Sequence, residues 1–182
     1  MPYYHCSPTP GLTVLTPRVP EHFDKPGRVY MCTRLPMALF YGVRNYEYSY
    51  GYTREGEIYY EEYFPGALET LYRGKSASLY LCAPREVSAT AIPNEAVSQE
   101  PVPILSEQRI PDVYEALLEQ ERLGALRICR CHELRPATRA WIVRAEAEEI
   151  RERRLLHRPG PMADYFRLHY PESWAAVERE KE

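Results

Sequence analysis

Residues 28–42 read RVYMCTRLPMALFYG. The first six, RVYMCT, are strand-forming residues, and 35–42 (LPMALFYG) follow as a short helix. A strand that passes directly into a brief helix sets the pattern for what surrounds it. Upstream, 2–6 (PYYHC) predict another strand. Downstream, strands are predicted at 45–53 (NYEYSYGYT), 57–63 (EIYYEEY), 77–83 (ASLYLCA), 87–92 (VSATAI) and 94–98 (NEAVS), with a short helix at 66–73. Arg54-Glu55-Gly56 between two tyrosine-rich runs predicts a hairpin, and Asn94 after Pro93 predicts a tight entry into the next strand.

Beyond residue 105 the composition changes. Of 16 tyrosines, only Tyr114, Tyr165 and Tyr170 follow that point, and the remaining stretches are long and poor in Pro and Gly. They predict helices at 111–123, 136–156 and 161–181, the last two separated by Pro159-Gly160-Pro161. The expected architecture is α+β: a domain of antiparallel sheets and short helices over 1–105, and a helical extension over 106–182 packed on or beside it. Intramolecular packing of that extension is favoured and would bury residues such as Val113, Leu117, Leu118 and Trp141, with Ile142, Ile150 and Leu155 as further apolar material of the middle helix; the alternatives are a partner-binding or dimerisation surface, or a lid over a cleft.

The chain has 182 residues, 45% hydrophobic and 27% charged, which excludes disorder and collagen. No apolar run reaches the length of a membrane span, and the first residues, MPYYHCSPTPG, lack the regions of a signal peptide. A net charge of −3 gives no overall positive field, so nucleic acid would need a local basic groove that the sequence does not single out. Cys6, Cys32, Cys82, Cys129 and Cys131 are odd in number and contain no CxxC pair, which argues against a disulfide framework and for a reducing, cytoplasmic setting.

Three local signals carry little. Gly74-Lys75-Ser76 ends like a phosphate-binding loop, but Glu69 stands where the earlier glycine belongs. Cys129-Arg130-Cys131-His132 lacks a second ligand pair, so no metal is expected. Arg151-Glu152-Arg153-Arg154 reads as a solvated helix face. The tyrosines from Tyr46 to Tyr63 read mainly as cover for a sheet face, with some available to stack on a base or nicotinamide.

Three further segments put functional residue types at strand ends: Tyr4-His5-Cys6-Ser7, then Tyr30 followed by Tyr41 eleven positions later, then Asn94-Glu95-Ala96-Val97-Ser98. In this order they resemble the H-Y-E branch of the ADP-ribosyltransferase superfamily, the branch of diphtheria toxin and the poly(ADP-ribose) polymerases. The opening is similar to that family's His-Gly-Ser or His-Gly-Thr strand. Tyr30 to Tyr41 resembles its strand, short helix and second tyrosine. Asn94-Glu95 resembles its strand with the catalytic glutamate. The resemblance spans roughly residues 3–105 and departs at Cys6, where the family has Gly, and Cys restricts φ and adds a side chain.

What the resemblance implies is a split pair of antiparallel sheets and an NAD-dependent glycosyltransferase reaction. NAD would be the substrate, and ADP-ribose would pass to a macromolecule, a small molecule or water. Glu95 would be the catalytic carboxylate, with Glu100 as the fallback. Tyr30 and Tyr41 would sandwich the nicotinamide, His5 would bond the adenosine-side ribose, and Cys6 and Ser7 would meet the carboxamide. Arg18 or Arg28 would meet the pyrophosphate, a choice the sequence leaves open. The alternative is a binding module for NAD, a nucleotide or a partner that keeps this fold without turnover, motivated by Cys6. An enzyme acting on RNA phosphates would want arginines near His5 in sequence, and there are none.

Overall fold

The computed structural model describes residues 1–19 and 26–180. The strands are β1 (Tyr3–Ser7), β2 (Val14–Leu15), β3 (Val29–Cys32), β4 (Tyr50–Tyr52), β5 (Ile58–Glu61), β6 (Ala77–Cys82), β7 (Ser88–Ala89), β8 (Glu95–Ser98), β9 (Val102–Ile110) and β10 (Arg127–Cys129). The helices are α1 (Leu35–Phe40), α2 (Ala67–Tyr72), α3 (Val113–Arg122), α4 (Pro136–Glu152), α5 (Pro161–His169) and α6 (Pro171–Arg179). The fold is mixed α+β. Seven strands form one sheet in the order β2-β9-β6-β1-β3-β8-β7, and a smaller sheet runs β10-β5-β4. The registered pairings in the large sheet are antiparallel.

The chain divides into two compact units, residues 1–60 with 68–128, and residues 61–67 with 129–182. The change of composition at residue 105 falls inside β9, and α3 belongs to the first unit with the sheet.

In the first unit, one sheet face packs Leu15, Val29, Met31, Tyr80, Cys82 and Val102 into a core. Helix α1 begins after extended Arg34 with Pro36 in its first turn, where a missing N–H costs nothing, and buries Pro36 through Phe40 without interruption. The Phe40 ring stacks on Tyr50 and on Tyr60, each at 5.5 Å, and meets the edge of Tyr72 at 6.0 Å. The tyrosine-rich block thus supplies an aromatic core as well as a sheet face. The expected hairpin forms between β4 and β5, closed by Gly56 at φ 84.

Several expectations change. The strand expected over 45–53 is confined to β4, because Asn45 to Ser49 form a loop. The nine-residue β9 has no clear signal in the sequence, since Pro103 and the polar run Ser106 to Arg109 argue against a strand; Pro103 precedes the first registered pair with β6, Cys82↔Ile104, and the polar run is tolerated because β2 pairs with the other edge only at Val102 and Pro103. Helix α4 stops at Glu152, and Arg154 turns left-handed at φ 56. The helix expected over 161–181 is two helices, since Pro171 has no N–H to continue the first and Tyr170 leaves helical geometry at φ −126, ψ 55; Lys181 lies outside the described residues.

The second unit builds its own core from Phe64, Leu134, Ile142, Ile150, Leu155, Phe166, Trp174 and Val177. Trp141, expected inside, is 48% exposed and meets Tyr63 edge-on at 5.9 Å. In the first unit Val113 and Leu117 are fully buried, whereas Leu118 is half-buried. Among the described residues, no helix is long and apolar enough to cross a membrane. All five cysteines are free thiols.

Candidate functional site

The large sheet opens between β1 and β3. Strand β1 pairs with β6 along its whole length, from Tyr3↔Cys82 to Ser7↔Ser78. With β3 it pairs only at Tyr4↔Cys32. Strand β3 meanwhile continues along β8 from Cys32↔Glu95 to Val29↔Ser98. Past Tyr4 the two neighbours part, and the wedge between them becomes a cavity of about 450 Å³. His5, Cys6, Ser7, Tyr30, Tyr41 and Glu95 all line it. Residues up to ninety positions apart in sequence therefore share one wall.

His5 bridges the wedge through a hydrogen bond of 2.9 Å between its Nδ1 and the Tyr30 carbonyl oxygen. A carbonyl only accepts, so Nδ1 carries the proton. Burial pushes the imidazole pKa below its usual 6.5, with Arg18 adding to that direction and the Tyr30 bond opposing it. The ring is accordingly neutral at pH 7, and Nε2 keeps a lone pair able to accept from a ribose hydroxyl. Ser7 Oγ accepts from the Thr9 N–H at 3.2 Å and retains its own hydroxyl proton as a donor. Tyr30 is 44% exposed, so its ring is accessible.

Glu95 is delivered by a tight turn. Its N–H donates to the Ile92 carbonyl at 3.2 Å, Pro93 occupies the second position, and Asn94 takes φ 62 at the third, the arrangement of a type II turn. Thr33 N–H donates to the Asn94 carbonyl at 2.8 Å and ties that turn to the end of β3. Glu95 is 9% exposed, and its side chain accepts from Thr90 Oγ1 at 2.7 Å. Glu100, by contrast, is exposed beyond the end of β8. Burial, with Glu95 and then Cys6 adding to it, pushes the Cys32 thiol up to about 12. Burial and a hydrogen bond with the Tyr50 hydroxyl push Tyr41 well above its ordinary value, so both groups stay neutral.

Cys6 stands where the resembling family has glycine. Its Sγ packs against Gly42, where an added Cβ would lie 2.7 Å from the sulfur. Gly42 follows Tyr41 directly, so the extra side chain on β1 is matched by a missing one after α1. Burial pushes the Cys6 thiol up to about 12, so it is a neutral, unreactive group.

A second cavity of about 490 Å³ shares His5, Ser7 and Tyr30 with the first and extends to Arg18 and Arg28. These arginines come together because their backbones pair, Arg18 N–H to Arg28 O at 3.3 Å and Arg28 N–H to Arg18 O at 3.1 Å. The buried Arg28 Nε has no hydrogen-bond partner among the described residues, an orphaned donor that suits an anion. Sequence reasoning left the two arginines as alternatives; here they stand side by side.

Three residues escaped the sequence reading. Arg44, three positions after Tyr41, lines the first cavity. Thr90 holds Glu95, and Tyr50 bonds Tyr41. Only Arg44 and Thr90 had a usable signal, their closeness in sequence to Tyr41 and Glu95. Cys129, Cys131 and His132 do not gather into a ligand set, and no group of three or more metal-binding side chains exists among the described residues. No family model, no curated protein and no solved structure matches this chain.

Proposed function

We propose that this chain is an NAD-dependent ADP-ribosyltransferase with an ADP-ribosyltransferase-like split sheet. The observation that carries the reading is the wedge between β1 and β3, where a neutral imidazole, two tyrosines and a buried carboxylate line one cavity. Its volume of about 450 Å³ suits a small-molecule site.

In this reading the nicotinamide and its ribose occupy the first cavity, with Tyr30 and Tyr41 against the ring and Ser7 at the carboxamide. His5 Nε2 accepts from the adenosine-side ribose. The pyrophosphate meets Arg18 and Arg28 in the second cavity. The bond from ribose C1′ to the nicotinamide nitrogen breaks, and its electron pair leaves on nicotinamide, which departs neutral. Positive charge then develops on the ribose ring as an oxocarbenium-like state. Glu95 stabilises that charge electrostatically from its buried position and accepts a hydrogen bond from a ribose hydroxyl. An acceptor hydroxyl or amine, or water, attacks C1′ and gives up its proton to solvent.

The test is release of nicotinamide from NAD. Glu95→Gln is expected to lower it by about 100-fold or more, in line with loss of a charge aimed at a transition state. Glu100→Gln is expected to behave as the unmodified chain. NAD binding without any nicotinamide release would instead identify a binding module.

A further inference from the structure

Arg44 is an unexplained charge in this wall. It lines the cavity that also holds Glu95, is exposed, and has no ion pair or hydrogen bond among the described residues. The reading above gives it no partner in NAD. The nicotinamide ring is itself a cation before cleavage, and the phosphates belong with Arg18 and Arg28, which line only the second cavity. A guanidinium at the nicotinamide end therefore suits an anion arriving from outside.

The loop that carries Arg44 has a distinct composition. It runs Val43-Arg44-Asn45-Tyr46-Glu47-Tyr48, and it is closed by a hydrogen bond of 3.1 Å from the Tyr48 hydroxyl to the Val43 carbonyl. Tyr46 and Tyr48 remain 43% and 41% exposed. The Tyr48 ring lies 5.6 Å from that of Tyr41, so the aromatic surface continues into the cavity. Arg44 and two exposed rings share this loop, which is fixed by its own hydrogen bond, and its one carboxylate, Glu47, is half-buried where Arg44 is exposed. A guanidinium and aromatic faces on one loop supply the chemistry that grips a phosphate and stacks its neighbouring bases.

We infer that the acceptor is single-stranded nucleic acid, docked with a backbone phosphate on Arg44 and bases on Tyr46 and Tyr48. This rests on the transferase reading. In the transfer, the C1′–N bond to nicotinamide breaks with its electron pair going to nicotinamide, a bond from C1′ to a base nitrogen forms, and the proton of that nitrogen passes to water. A duplex keeps its bases stacked inside and cannot offer them to the rings, and an acidic peptide offers the charge without the flat groups.

The test is fluorescence anisotropy of a labelled single-stranded oligonucleotide of about ten residues, measured on the full chain without NAD. Saturable binding that weakens with salt is expected, with about a ten-fold loss for Arg44→Glu and a several-fold loss for Tyr46→Ala, as stacking of one base is worth roughly 1–3 kcal/mol. Both side chains are exposed, and unchanged circular dichroism would show that the variants fold. Absence of saturable binding, equal binding by Arg44→Glu, or equal affinity for a duplex, a mononucleotide or an acidic peptide would overturn the inference. Nicotinamide release measured without oligonucleotide reports separately on the transferase reading. Release without strand binding would sink only the acceptor, and strand binding without release would sink the transfer but leave the docking loop.

Discussion

The Cys6 sulfur rests against Gly42, so the residue that departs from the resembling motif is accommodated by the absence of a side chain on the facing loop. Gly42 has no positive φ to require glycine; the need is for space. A Cβ there would stand 2.7 Å from Cys6 Sγ and 2.9 Å from Ala77 Cβ. Gly42→Ala is expected to destabilise the protein by about 1–3 kcal/mol through overpacking. Adding Cys6→Ala should recover part of that loss, because one of the two clashes is removed. Chemical denaturation of the single and double variants measures the coupling.

His5 gives a pH signature. Its folded pKa lies below 6.5, so the unfolded chain takes up the proton first as pH falls. The stability it contributes is complete above pH 6.5 and is lost as pH falls through the folded value. Denaturation across that range should show a steeper acid loss in the unmodified chain than in His5→Gln. His169, also lowered by burial, is common to both proteins and cancels in the difference. In the proposed site, NAD affinity should fall over the same window, as protonated Nε2 ceases to accept.

Tyr50 positions Tyr41. Its ring stacks on Phe40 at 5.5 Å while its hydroxyl bonds that of Tyr41. Tyr50→Phe keeps the stack and removes the bond, a change of about 1 kcal/mol. In the proposed reaction the expected result is a KM for NAD raised roughly five-fold with a smaller change in kcat. Equal losses in both would speak against a role confined to ring placement.

Asp112 joins two turns. It caps α3 by accepting from the Tyr114 N–H at 2.9 Å, and its other oxygen accepts from the Gly74 N–H at 2.9 Å. Asp112→Ala is expected to cost about 1–2 kcal/mol, measured by denaturation, with Asp112→Asn keeping the helix cap but losing the bond from Gly74, and so falling between the unmodified chain and Asp112→Ala.

Where local chemistry was sufficient, the sequence was readable. The strand and helix from Val29 to Phe40, the hairpin at Gly56 and the turn through Pro93 and Asn94 follow from side-chain pattern and backbone preference within a few residues. Pro171 is equally legible as a helix stop, because it lacks the N–H that a continuing helix needs. Strand β9 was not legible, because its polar residues and Pro103 are explained only by the neighbours it meets.

By itself, then, the sequence determined which short elements form and which residue types end them, since those are settled by steric preference and near-neighbour hydrogen bonding. Tertiary structure alone decided that β1 leaves β3 after one pair, that Arg18 lies beside Arg28, and that Glu95 and not Glu100 lines the cavity with His5. Those relations depend on pairing between distant segments, and no local preference specifies where two strands part.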